Sequence, residues 1–164
     1  KEVDPFLTSS VSRIGRRAAM KRCFLNMLAL SAGFTFIYVL VQLVGVSVFV
    51  DMDILISKHF YQNMIFYYIA VFIIFSFGGV CYLLFYVITR LKIVSLLMAV
   101  AVNLYMVNYL KIDNLYFGLT VIDTMSLGGS VQAVIWFLKR VRDIAITTGI
   151  YMLADVVYEK RDIV

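Results

Sequence analysis

The chain contains 164 residues, of which 63% are apolar and 15% are charged, and its mean hydropathy is +0.93. An average soluble domain carries about 25% charged residues, so this composition excludes an ordinary soluble domain and a disordered chain. Two cysteines are too few for a disulfide-stabilised scaffold. The class that remains is an all-α, polytopic helical membrane protein with four transmembrane helices and a C-terminal amphipathic helix.

Residues 1–23 form a basic segment ahead of the first apolar stretch. One interpretation is a lead-in whose cations fix the orientation of the chain. The other is a helix that lies on anionic lipid. Gly15 and the nearby Ser and Thr residues disfavour a helix, so we favour the first interpretation.

Residues 24–138 contain four apolar stretches, at about 24–50, 64–89, 93–110 and 115–138. Each is long enough to cross about 30 Å of hydrocarbon as a helix, at about 1.5 Å per residue. Only residues 90–92 separate the second stretch from the third, and they include no Gly, Pro or Asn that favours a turn. We therefore expect one of these two helices to end early and supply residues to the turn.

Residues 139–164 form a basic, amphipathic segment. Between 143 and 158 the side chains separate onto two helical faces, with Thr148, Tyr151, Asp155 and Tyr158 on one and Ile146, Ile150, Leu153 and Val157 on the other. This pattern predicts an amphipathic helix on the membrane surface or docked on a partner. The alternative is that it continues the fourth helix.

The basic residues are distributed unequally between the two ends of the predicted spans. Thirteen fall on the side of the termini and of residues 90–92, whereas only Lys58 and Lys111 fall on the other side. This bias predicts that both termini face the cytoplasm or matrix, in a bacterial inner, mitochondrial inner or endoplasmic reticulum membrane.

The net charge of +5 is explained by anionic lipid rather than by nucleic acid as a partner. The cations expected to contact lipid head groups are Arg13, Arg16, Arg17, Lys21, Arg22, Arg90, Lys92, Lys139, Arg140 and Arg142.

Three polar residues fall at similar predicted depths inside the spans, namely Asp123, Gln42 and Asn103. Polar groups in lipid are costly and often functional, so one hypothesis is a cluster that binds an ion, a proton or a lipid head group. The other hypothesis, which we favour, is that each group bonds a neighbouring helix and stabilises packing.

Small residues at four-residue spacing are typical of contacts between membrane helices. They are Ser126, Gly129, Ser130 and Ala133 in the fourth stretch, Gly78 and Gly79 in the second, and Ala29 and Gly33 in the first. Together with the amphipathic segment, they favour association with other transmembrane subunits, in a hetero-oligomer rather than a monomer.

The residues offer little to catalysis. His59 is the single histidine, and no nucleophile, metal-ligand or phosphate-loop motif occurs, so we expect no enzyme activity and no cofactor. The expected function is a non-catalytic membrane subunit or assembly component of a larger complex. The alternative is a small oligomeric channel or transporter that uses the polar residues around Asp123.

Overall fold

The structure, a computed structural model, describes residues 15–57, 59–109 and 130–160. Over these ranges the fold is helical and contains no strand, which confirms the all-α prediction. The helices are α1 (Arg16–Phe49), α2 (Met52–Ser57), α3 (Phe60–Thr89), α4 (Lys92–Tyr109) and α5 (Ser130–Lys160).

Helix α1 begins at its first cations rather than at the apolar stretch. Gly15 is the N-cap residue, with a φ of 83°, a left-handed conformation that glycine adopts without a steric penalty. Helical geometry then continues without a break to Phe49. The segment from Arg16 to Arg22 is therefore the first part of α1 and not a separate helix, because Gly15 marks the start of the helix instead of weakening its interior.

The turn between α3 and α4 consists of Arg90 and Leu91 alone, so neither helix is shortened as expected from the sequence. Arg90 takes a left-handed conformation with a φ of 58°. The hydroxyl of Thr89 lies 2.8 Å from that of Ser95, which itself donates to the Leu91 carbonyl. These bonds satisfy the hydroxyl groups of the turn. They offset the energetic cost of a left-handed conformation at a residue that carries a side chain.

Helix α3 lies at the centre and packs against each of the other four helices. Helix α1 runs antiparallel to it, since Met20 packs near Leu83 at one end and Val39 near Met64 at the other. The tight turn makes α4 antiparallel as well. The first residue of α1, the turn at Arg90 and the end of α5 therefore share one end of the bundle, which we call the Arg90 end; the opposite one is the His59 end.

Helix α5 runs parallel to α3 along most of its length. Trp136 contacts Phe66 near the His59 end, whereas Ala154 packs against Leu83 near the Arg90 end. No break separates residues 139–164 from the preceding helix up to Lys160. The segment 143–158 is thus not a separate amphipathic helix but continues one that begins at Ser130, the alternative considered above.

The predicted fourth stretch, 115–138, overlaps α5 only over residues 130–138, and its first 15 residues lie outside the described ranges. The side of α5 that turns inward also differs from expectation. Tyr151, Asp155 and Tyr158 are half-buried beside α1 and α3, while Leu153 is exposed. The face predicted to be apolar is thus divided, with Ile146 and Leu153 exposed, Val157 half-buried and Ile150 packed against Phe77 and Cys81.

The other helices bury apolar clusters as well, but they also expose large apolar side chains and bury some hydroxyl groups. Large apolar side chains such as Phe34, Ile93 and Leu97 are more than 60% exposed. Polar side chains such as Thr35 and Ser95 are fully buried and donate to the carbonyl one turn earlier, at 2.7 Å in each case. A hydrogen bond to the backbone of the same helix satisfies the hydroxyl group without a polar group from another helix.

Two helical segments are apolar and long enough to cross a membrane, Ala18–Phe49 and Phe60–Thr89, and α4 contributes a shorter apolar helix. This finding supports part of the predicted architecture. In the described ranges two helices, and not the four predicted, are both long enough and apolar enough to cross a membrane.

Gly79 allows α1 to approach α3 closely. A Cβ atom at this position would lie 2.6 Å from Sδ of Met27, whereas one at Gly33 would meet nothing within 4 Å. We expect Gly79→Leu to lower the free energy of unfolding in detergent by about 1–3 kcal/mol through overpacking. Adding Met27→Ala to Gly79→Leu restores part of the loss.

Gly33→Leu, on an exposed face of α1, is the matched control and leaves unfolding nearly unchanged. Equal effects of leucine at positions 79 and 33, measured by SDS titration of the purified chain, would contradict this account of the α1–α3 contact.

Candidate functional site

The inward face of α5 carries two opposite charges. Arg140 is 4% exposed and Asp143 is 7% exposed, and Thr147 is buried one turn later. Together with Trp136, these residues recur at spacings of four, three and four, which places them on one stripe of a helix. The packing of this stripe against α3 therefore draws charged groups into the protein.

Asp143 is the centre of the arrangement. The guanidinium of Arg142 donates two hydrogen bonds to Oδ1, from Nε at 3.0 Å and from Nη2 at 2.9 Å. Nη1 of Arg140 lies 3.3 Å from Oδ2, on the other side of the carboxylate. One carboxylate thus serves two guanidinium groups, and the cluster has a net charge of +1.

Trp136 holds Arg140 from the other side. The guanidinium carbon of Arg140 lies 5.7 Å from the centre of the indole ring, which is within the range of a cation–π interaction. The indole in turn contacts Phe66 edge-on at 5.3 Å. The arginine is therefore placed between an aromatic face and a carboxylate, and its position depends on the contact between α5 and α3.

Three donors and one acceptor of this cluster make no hydrogen bond within the described part of the chain. The donors are Nε and Nη1 of Arg140 and Nε1 of Trp136, and the acceptor is Oδ2 of Asp143, all enclosed by the protein. Nη1 and Oδ2 face each other at 3.3 Å as an ion pair. A buried donor without an acceptor costs about 1–3 kcal/mol, and more when it is charged. The ion pair with Asp143 therefore compensates the burial of the Arg140 guanidinium only in part.

The cluster lies at the level of the most apolar part of α3. On α5 it falls between Trp136, which contacts Phe66, and Ile150, which packs with Phe77 and Cys81. Helix α3 has no charged residue along its 30 positions. Any membrane that α3 spans would therefore enclose Arg140 and Asp143 in its hydrocarbon region.

This placement corrects the prediction that Arg140 contacts lipid head groups, because its guanidinium is buried. Arg142 and Lys139 also lie far along α5 from the Arg90 end, with Arg142 half-exposed and Lys139 half-buried. The sequence signal for the cluster was the four-three-four spacing of Trp136, Arg140, Asp143 and Thr147. It was missed because the charges were interpreted as the end of a span.

The other predicted head-group residues are distributed differently. Lys21, Arg22, Arg90 and Lys92 are exposed at the Arg90 end. Arg16 and Arg17 belong to the first turn of α1, although the description does not extend to their side chains, and Arg13 lies outside the described residues.

The predicted polar cluster is described only in part. Asn103 on α4 donates to the Ala99 carbonyl at 2.8 Å, and its amide would meet a Cβ atom at Gly78 at 3.3 Å. Gln42 is exposed on α1, so the structure does not bring these two amides together. Asp123 lies outside the described residues.

The predicted packing residues separate into three groups. Gly78 and Gly79 face Asn103 and Met27 on neighbouring helices. Ala29 and Gly33 are exposed on α1. The remaining four are Ser126 and Gly129, which lie outside the described ranges, and Ser130 and Ala133, which belong to α5 but whose side chains are not described.

Comparisons with known proteins give no family, curated protein or solved structure that matches the chain. Within the described ranges, no three His, Cys, Asp or Glu side chains come together as ligands for a metal ion.

Asp143→Asn removes the anion shared by both arginines. Because Arg140 then stays buried without a counter-charge, we expect the free energy of unfolding to fall by about 3–5 kcal/mol. Arg140→Met leaves Asp143 bonded to Arg142 and costs less. Thermal unfolding of the purified chain in detergent measures both.

Asp53→Asn is the control for the loss of an exposed carboxylate, since Asp53 lies in the first turn of α2. We expect it to change stability by less than about 1 kcal/mol. If Asp143→Asn were no more harmful than Asp53→Asn, the buried pair would contribute nothing to the fold.

Proposed function

We propose that the chain is an integral membrane protein that crosses the bilayer with α1, α3, α4 and α5 and acts as a non-catalytic subunit or assembly component of a larger membrane complex. The observation that carries this proposal is the apolar outer surface of the helices, combined with their buried hydroxyl groups. Water-soluble proteins rarely expose extended apolar surface, and their polar side chains lie mostly outside.

The two long apolar helices also differ from the core helices of a soluble protein, which are mostly buried. In an apolar 18-residue stretch of Ala18–Phe49, only 17% of the residues are buried within the chain. In the corresponding stretch of Phe60–Thr89, only 39% are buried. Lipid would cover the remaining apolar surface and remove it from water, at about 25 cal/mol per Å².

Helix α5 is the least apolar of the proposed crossings, because Arg140, Arg142 and Asp143 lie within it. Charged side chains inside membranes generally turn toward other helices and pair with one another. The ion pairs of Asp143 and the burial of Arg140 against α3 fit this requirement. A four-fold crossing with α5 as the last helix keeps residues 16 and 160 on the same side.

The proposed role as a subunit is supported by an exposed charge on α5. Arg142 is about half-exposed at the level of the apolar part of α3, a surface that lipid alone covers poorly. The channel or carrier alternative has less support, since Gln42 and Asn103 lie apart.

Cysteine labelling tests the crossings. In a background with Cys23→Ser and Cys81→Ser, single cysteines replace Asp53, Arg90, Ser130 and Lys160. In sealed vesicles of known orientation, a membrane-impermeant maleimide should label positions 53 and 130 from one side and positions 90 and 160 from the other. Labelling of positions 130 and 160 from the same side would show that α5 does not cross the membrane.

Native gel electrophoresis tests the role as a subunit. Extracted from its native membrane in mild detergent, the chain should migrate well above the size of its 18.7 kDa monomer in detergent. The same chain made by cell-free synthesis into liposomes provides the monomer reference, since no other membrane protein is present. Identical migration of the two samples would exclude the proposed role.

A further inference from the structure

We propose that the face of α5 around Arg142 binds a transmembrane helix of another protein that carries a carboxylate within the membrane. This inference rests on the proposed function and adds the chemistry of the partner. It follows from the charge balance of the cluster, its depth and the exposure of Arg142.

Among the described residues, the cluster holds one positive charge without a counter-charge. Of the described acidic residues, Asp143 is the only one at this level of α5, since Asp155 and Glu159 lie three or more turns further along, and Asp51 and Asp53 lie at the His59 end. The two oxygens of Asp143 are already divided between Arg142 and Arg140. A second carboxylate would neutralise the site.

Arg142 is the group that a partner reaches first. Its side chain is 47% exposed, whereas that of Arg140 is 4% exposed. Arginines near membrane surfaces generally extend their head groups toward water, but this guanidinium is held on Asp143 by two hydrogen bonds. The charge therefore stays at the depth of the apolar part of α3, where a protein partner covers it better than lipid chains do.

The partner is a helix rather than a lipid head group because of this depth. Lipid phosphates lie at the membrane surface, whereas the cluster lies between the levels of Phe66 and Phe77 on an uncharged helix. Backbone groups in hydrocarbon must be bonded internally, so a carboxylate at this depth is presented by a helix. A guanidinium binds a carboxylate through paired, charge-assisted hydrogen bonds.

The test uses a synthetic transmembrane peptide of about 21 residues, built of Leu and Ala with one Asp at its midpoint. Matched peptides carry Asn or Leu there. The full chain is reconstituted into phosphatidylcholine vesicles, and energy transfer between labelled chain and peptide reports association. We expect the Asp peptide to bind about tenfold more tightly than the Asn peptide, and the Leu peptide to bind weakest.

Arg142→Gln should remove the preference for Asp over Asn, whereas Arg22→Gln, at an exposed cation near the Arg90 end, should leave it unchanged. Equal binding of the Asp and Asn peptides, or an unchanged preference in Arg142→Gln, would overturn the inference. Loss of the preference when anionic phosphatidylglycerol is added would also overturn it, because the site would then bind lipid phosphate.

Failure of the proposed function would appear before the binding measurement, in the retention of the chain by the vesicles. A chain that is not a membrane protein would not be retained in the vesicles after alkaline washing, and this result would refute the proposed function and the inferred partner together. A chain that is retained, gives the expected cysteine labelling and shows no preference for the Asp peptide would refute the partner and leave the four crossings in place.

Discussion

Hydrogen bonds from buried hydroxyl groups to the carbonyl of the preceding turn allow polar residues to lie beside the apolar core clusters of these helices while apolar residues cover the outside. Thr35 on α1, Ser95 on α4 and Thr147 on α5 all bond in this way, at 2.7 Å. Each is buried, and each is satisfied by its own helix. The bundle therefore needs few specific polar contacts between helices, and its outer surface is left to apolar side chains.

The cluster on α5 departs from this rule. A guanidinium group has more N–H donors than the single carbonyl oxygen one turn earlier can accept. In the described part of the chain, Nε of Arg140 has no acceptor. Burying such a group is costly, and replacing a buried ion pair with apolar residues often stabilises a protein. A charged pair in this position therefore stabilises the fold no better than apolar residues of similar size would, which is the physical reason to connect it with recognition of a partner.

The C-terminal ends of α1 and α3 were predictable because continuous apolar runs specify both, and the predicted ends at residues 50 and 89 agree with Phe49 and Thr89. Both helices begin before the predicted starts at residues 24 and 64, at Arg16 and Phe60. The turn at Arg90 was not predictable, since a left-handed arginine stabilised by Thr89 and Ser95 has no signal comparable to that of glycine. Helix α5 was misjudged for a different reason. Hydropathy assigns each charge to water, whereas here the carboxylate of Asp143 and the packing of α3 compensate the burial of Arg140.

The predicted orientation does not depend on the cations that proved to lie within α5 far from the Arg90 end. Without Lys139, Arg140 and Arg142, ten of the thirteen basic residues still belong to the side with the termini, against two on the other. In the proposed topology, α5 takes the place of the stretch 115–138 as the last crossing among the described helices. An even number of crossings requires only that α5 runs parallel to α3, and the contacts of Trp136 with Phe66 and of Ala154 with Leu83 fix that direction. The charge bias and the helix packing are thus independent arguments for one arrangement.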